Sequence, residues 1–185
     1  MYFVDLNSDL GESFGNYTIG MDEEILKYVS SANVACGWHA GDAMVMEKTV
    51  VLAKQFGTAV GASGISGPDG IRPQEHGSDS RGGQGLCEIP VRRACRLCQG
   101  SWSKDSAREA SRTLYNMAAV DEKLARAMCE AVYEVDKDII FMGLAGSRMI
   151  TAAEEVGLRA ASEVFADRAY NDDGTLVSRK LPGAV

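Results

Sequence analysis

Apolar and polar positions alternate in blocks along the first third of the chain, and the blocks predict strands and helices in turn. Tyr2 to Leu6 is a short apolar run with β-formers, predicted as a strand. The polar segment Asn7-Ser8-Asp9-Leu10-Gly11-Glu12 follows it directly. Met21 to Val29 is predicted as a short helix, with Asp22, Glu23 and Glu24 in its first turn, where the helix dipole favours acids. Ala32 to Cys36 is a second strand and runs into Gly37-Trp38-His39-Ala40-Gly41-Asp42. Asp42 is a good N-cap for a helix from Ala43 to Phe56, and Gly57 is placed to stop it. Thr58 to Ala62 is a third strand.

The last third resumes the pattern. Leu124, Met128, Ala131, Val132 and Val135 have helical spacing within Asp121 to Val135. Asp138 to Gly143 is a strand, and Ser147 caps a helix that ends near Gly157. Leu158 to Phe165 is another strand and delivers Ala166 to Tyr170 to a loop. Asn171-Asp172-Asp173-Gly174 is a turn. Such β-α alternation implies a parallel α/β sheet or barrel, in which chemistry sits where strands end. Both early polar segments fall at such predicted ends.

The middle differs in kind. From Ser63 to Thr113 there are eight Gly and eight Ser in 51 residues, and seven of the chain's 12 Arg against one of its seven Lys. No helical or alternating period persists there, and a structureless run of that length is foreign to a compact domain.

Composition narrows the function classes. With 45% apolar residues in 185, the chain can build one globular core. A net charge of −7 repels phosphate backbones, so nucleic acid is not expected as a partner. No run nears the roughly 18 apolar residues of a membrane span, and Met1 opens no basic-then-apolar leader. A cytoplasmic location and no membrane partner are expected. The cysteines, Cys36, Cys87, Cys95, Cys98 and Cys129, are then reduced thiols.

Asn7, Asp9 and Glu12 are the first candidates for chemistry: carboxylates there can orient water, act as base or hold a cation, or form only a solvated turn. His39 can shuttle a proton or bind a metal with Asp42 orienting it, the flanking glycines allowing close approach to a ligand; alternatively Asp42 is only a cap. Cys95-Arg-Leu-Cys98, with Cys87 and His76, imitates a zinc site but lies in the aberrant middle. Cys36 and Cys129 read as buried small apolar groups. Gly143-Leu-Ala-Gly146-Ser147 opens a helix and could hold an anion, and no P-loop, GxGxxG or GxSxG motif is present.

The string VDLNSDLGESFGNYTIGMDEEILKYVSSANVACGWHAGDAMVMEKTV resembles the LamB/YcsF family, that of the A subunit of bacterial 5-oxoprolinase. So do LYNMAAVDEKLARAM and EVFADRAYNDDGTLVSRKLPGAV. The resemblance covers Met1 to Ala62 and Leu114 to Val185, and the family pattern runs on past Val185, so the chain is expected to be C-terminally short. It implies an incomplete, non-standard (β/α) barrel of the glycoside hydrolase/deacetylase type in a single domain, residues 1–185. It also implies ATP-dependent opening of 5-oxo-L-proline to L-glutamate in a complex with B and C subunits, ATP being a co-substrate. In that scheme Asp9, His39 and Asp42 manage protons, while Asn7, Glu12, Asp167 and Arg168 bind substrate. Arg168 would grip the substrate carboxylate through a bidentate fork, or else pair across the barrel rim. The alternatives are a metal-dependent amide or acetyl hydrolase with Asp9 and His39 holding a divalent ion, and a catalytically dead product.

Where the family carries a stretch like GAHPGYPDLMGFGRRNMD, this chain has GASGISGPDGIRPQEHG; where it carries HVKPHGALYNM, this chain has SAREASRTLYNM. Codons for Ser63 to Gly77 can be written so that reading one base later gives PGYPDLMGFGRRNM. Those for Lys104 to Arg112 can be written to give RIQHVKPHG at the same offset. Residues 63–113 are therefore expected to be an out-of-frame segment, poorly ordered, between compensating frameshifts near Ala62 and Thr113, the alternative being a true insertion or a divergent loop.

Overall fold

A computed structural model describes residues 3–37, 39–63, 107–108 and 112–185. Its described strands form one sheet, paired in chain order: β1 Asn7–Leu10, β2 Ser31–Ala35, β3 Ala59–Ser63, β4 Ala107–Arg108, β5 Ile140–Leu144 and β6 Arg159–Glu163. Every neighbouring pair is parallel. Among the described residues, five helices lie between them: α1 Asp22–Ile25, α2 Ala43–Phe56, α3 Arg112–Ala118, α4 Glu122–Val135 and α5 Arg148–Val156.

Local chemistry sets the helix limits much as the sequence predicts. Asp42 accepts from the amides of Met44 and Val45 to start α2, and Gly57, at φ 71°, ends it in the left-handed conformation that glycine adopts without penalty. Asp121 caps α4 through the Leu124 amide. Ser147 caps α5 through Met149, and Gly157 closes it at φ 92°. The expected helix Met21–Val29 shrinks to the single turn of α1, which starts at Asp22 and gives way at Leu26, its C-cap.

The first strand is the main correction. It is not the apolar run before Asn7 but the polar segment itself. Phe3, Val4 and Leu6 are exposed, and the ladder to β2 begins at Asn7 opposite Ser31. Apolar content is a poor guide here because one face of β1 is lined by hydrogen-bonding partners, which supply what an apolar core supplies elsewhere.

Parallel pairing puts partnered residues on one face. Leu10, Ala32, Val34 and Ala62 pack against Met46, Val50 and Ala53 of α2. In the second half, Phe141 and Leu158 pack with Met149, Ala152 and Ala153 of α5, and with Met128, Cys129 and Val132 of α4. The opposite, inner face of β1 and β2 carries Asn7, Asp9, Ser31 and Asn33. The sheet is curled and sheared. Along the ladder, Ala160 is level with Leu10, yet Asn7, three residues earlier, donates a hydrogen bond to Glu163, three residues later.

Two elements, β4 and the start of α3, lie inside the segment where the sequence pattern predicts none, and β4 joins β3 to β5. The rest of the expected out-of-frame segment beyond Ser63 lies outside the described residues, as do Cys87, Cys95, Cys98 and His76. No helix among the described residues is long and apolar enough to cross a membrane.

Met149 is fully buried where α4, α5 and β5 meet. Met149→Ala is expected to cost about 2–5 kcal/mol of unfolding free energy, read by urea denaturation, because the rigid surroundings only partly fill the cavity.

Candidate functional site

On the inner face, four side chains form a continuous hydrogen-bonded chain across elements distant in sequence. Tyr115 of α3 donates its hydroxyl to Glu163 Oε2 at 2.9 Å. Asn7 donates Nδ2 to Glu163 Oε1 at 3.0 Å. Asn33 donates Nδ2 to Asn7 Oδ1 at 2.9 Å and lies 3.5 Å from Asp9 Oδ1. The Tyr115 ring is held edge-on to Phe165, with centroids 6.0 Å apart. Buried and half-open members interleave along the series: Tyr115, Glu163 and Asn33 are buried, while Asn7, between Glu163 and Asn33, and Asp9 beyond them retain partial exposure.

Burial raises the proton affinity of the Glu163 carboxyl above its ordinary value of 4.5. The hydrogen bonds from Asn7 and Tyr115 oppose that rise, and the negative charges of Asp9 and Asp5 add to it. Asp5 is itself tied to β2 by the hydroxyls of Ser30 and Ser31.

Beyond the strand ends, the loops after β1 and β2 bring Glu12 and His39 together, with His39 Nε2 3.5 Å from Glu12 Oε1. Both side chains are partly exposed. Asp42 is fully engaged with backbone. Besides capping α2, it accepts the Gly15 amide at 2.8 Å, and these backbone hydrogen bonds, Gly15 foremost, hold its carboxyl below the usual range. Asp42 thus ties the β1 loop to the start of α2. Gly41, at φ +76°, is needed for a protein contact: a Cβ there would stand 2.6 Å from the Gly11 carbonyl oxygen. The close approach expected toward a ligand is thus, at Gly41, an approach of one loop backbone to another.

The remaining candidates separate. Arg168 donates Nε to the Ala184 carbonyl and Nη2 to the Val177 carbonyl, so its guanidinium folds the C-terminal tail back behind β6, and neither carbonyl is the carboxylate of a rim ion pair. Asp167, beside it, is exposed. At the Gly143–Ser147 turn, the first α5 amides are already used: Arg148 N–H bonds the Ala119 carbonyl and Met149 N–H the Ser147 hydroxyl. That leaves the turn poorly equipped to hold an anion. Cys36 and Cys129 are buried, as expected of small apolar groups. Among the described residues, no three His, Cys, Asp or Glu side chains gather as a metal cradle.

Asn33, Tyr115 and Glu163 were not singled out from sequence. Asn33 carries a readable signal, a lone amide in the apolar run Ala32 to Cys36. Glu163 carries a weaker one, a charge inside a predicted strand, and Tyr115 carries none.

A profile of the LamB/YcsF family matches residues 4–69 and 111–185. The A subunit of the Campylobacter jejuni subsp. jejuni 5-oxoprolinase is 55% identical over 189 residues, spanning 100% of this chain and 73% of that protein. That of Alkaliphilus metalliredigens is 49% identical over 186 residues, with the same coverage. The crystal structure of a lactam utilization protein from Thermus thermophilus superposes with a TM-score of 0.85 at 33% identity, covering 98% of this chain and 74% of that one.

The raised Glu163 proton affinity has a signed consequence. A carboxyl that binds its proton more tightly when folded contributes stability that is full below its ordinary value of 4.5 and is lost as pH rises through its folded value. Glu163→Gln lacks this titration. Melting curves of the two proteins should therefore shift in favour of Gln as pH rises from about 4 toward neutrality; a difference independent of pH would contradict the assignment.

Proposed function

The chain belongs to the LamB/YcsF family, and we propose that it is the A subunit of an ATP-dependent 5-oxoprolinase, opening 5-oxo-L-proline to L-glutamate together with B and C subunits. The observation that carries this reading is the 55% identity, over the whole chain, to the corresponding 5-oxoprolinase subunit from Campylobacter jejuni. The geometry supports it: a polar inner face and a His39–Glu12 pair at its rim offer groups for handling protons beside a small polar substrate. The sheared, curled parallel sheet supports an arc of a (β/α) barrel wall of the glycoside hydrolase/deacetylase type.

A five-membered lactam is unstrained enough that hydrolysis needs coupling to ATP. Phosphorylating the amide oxygen would make the carbonyl carbon a better electrophile. A first water then adds to that carbon and the C–N bond breaks as the nitrogen takes a proton, leaving γ-glutamyl phosphate; a second water hydrolyses this acyl phosphate to glutamate and phosphate. Asp9 and His39 are the groups assigned to move protons in that sequence, with Asn7 and Glu12 orienting substrate and Asp42 holding the loop that carries His39. We assign Arg168, through the tail it folds back, to the border of the substrate site alongside Asp167.

The family match stops at residue 69 and resumes at 111, which supports reading the stretch between as out of frame. On this reading the chain is impaired relative to one carrying the in-frame segment. The gene itself decides the point: codons across Ser63–Gly77 and Lys104–Arg112 are expected to yield the family strings one base later, and codons that cannot do so end the idea.

For the site, this chain and its in-frame counterpart would each be assembled with B and C subunits and glutamate release followed. Asp9→Ala and His39→Ala are each expected to lower turnover on the order of a hundredfold or more. Full turnover in either would remove that residue from the chemistry.

A further inference from the structure

Glu163 stands outside every role assigned so far, and its placement is costly unless it serves one. A buried carboxylate loses hydration that a neutral side chain would not need to replace. This one bridges β6, β1 and α3, with both oxygens accepting, and it faces two further acids, Asp9 on β1 and Asp5 just before it.

We propose that Glu163 is a positioning residue for the ring-opening reaction, acting through Asn7 and Asn33 to set where the Asp9 carboxylate sits. The proposal rests on the reading of Asp9 as a proton-handling group.

The donor–acceptor logic runs in one direction. Glu163 offers Asn7 an acceptor, so the Asn7 amide must turn its Nδ2 toward β6 and its Oδ1 toward β2. With Oδ1 so turned, Asn33 directs its own Nδ2 there and toward Asp9 Oδ1. Tyr115 fixes the other Glu163 oxygen and stops the carboxyl from rotating, while Phe165 fixes the Tyr115 ring. Remove the carboxyl and Asn7 Nδ2 loses its acceptor on β6, and Tyr115 loses its anchor. The side chains between position 163 and Asp9 are then held from the Asn33 side, with the β6 end of the series loosened.

The test compares Glu163→Ala and Glu163→Gln, with Asp9→Ala in parallel, in this chain and its in-frame counterpart assembled with B and C subunits. Glutamine restores the geometry: Oε1 can accept from Asn7 while Nε2 donates to the Tyr115 hydroxyl. Expected for Glu163→Ala is a kcat loss of roughly ten- to a hundredfold with KM within about twofold, the cost of a misplaced reacting group. For Glu163→Gln, kcat should return to within about threefold of the parent. Equal losses in the two variants would overturn the proposal, since the carboxyl would then act chemically in its own right. Losses that only track the unfolded fraction in a thermal melt would also overturn it, leaving a structural bridge. Full turnover in Asp9→Ala sinks the site reading instead, whatever position 163 shows. A readout free of turnover is the Asn7 side-chain amide, followed by 15N NMR in the full chain. Its shift should persist in Glu163→Gln and move in Glu163→Ala; an unmoved signal in Glu163→Ala refutes the bridge.

Discussion

The bond between Asn7 and Glu163 is the constraint from which the rest of the site follows. Parallel strands paired in chain order need not bring the first and last together. Here they meet, six residues out of step with the ladder, so the sheet must curl and shear. Curling gives the sheet an inside. Polar residues placed there cannot all reach water, so they must satisfy one another, and the series Tyr115, Glu163, Asn7 and Asn33 is the form that satisfaction takes.

A second device joins the inside to the rim. The β1 and β2 loops are held in contact by backbone rather than by apolar packing: Asp42 grips the Gly15 amide, and Gly41 abuts the Gly11 carbonyl. Those two contacts fix the loops that carry Glu12 and His39, which meet at 3.5 Å. One carboxylate serves both helix α2 and the neighbouring loop, so shifting α2 would shift the rim with it.

These physical rules explain what was legible in the sequence. Asp42, Gly57, Asp121, Ser147 and Gly157 act through contacts within a few residues, and each marks its helix end where the sequence places it. The apolar spacing of Met128, Ala131 and Val132 likewise identifies the buried side of α4. The first strand was misread because its sequence is polar on the face that hydrogen-bonds across the curl, information held by residues about 156 positions away. Glu163 and Tyr115 were missed for the same reason. Arg168 looked like a ligand fork, but the carbonyls of Val177 and Ala184 lie in its reach, and a local pattern cannot show that a tail folds back.

Asn7, Asp9, Asn33, Tyr115 and Glu163 all lie within the two stretches that match the family, as do Glu12 and His39. The hydrogen bonds that join Tyr115, Glu163, Asn7 and Asn33 run between residues of these two stretches, while the ladder from β3 to β5 passes through β4, Ala107–Arg108. What the residues between 69 and 111 would supply is the loop after β3 and the approach to β4, the next positions around the sheet from the His39 loop. On the inner face the hydrogen bonds run from strand to strand through Asn7, which takes Glu163 of β6 as acceptor and Asn33 of β2 as donor, so a single amide ties the last strand to the first two.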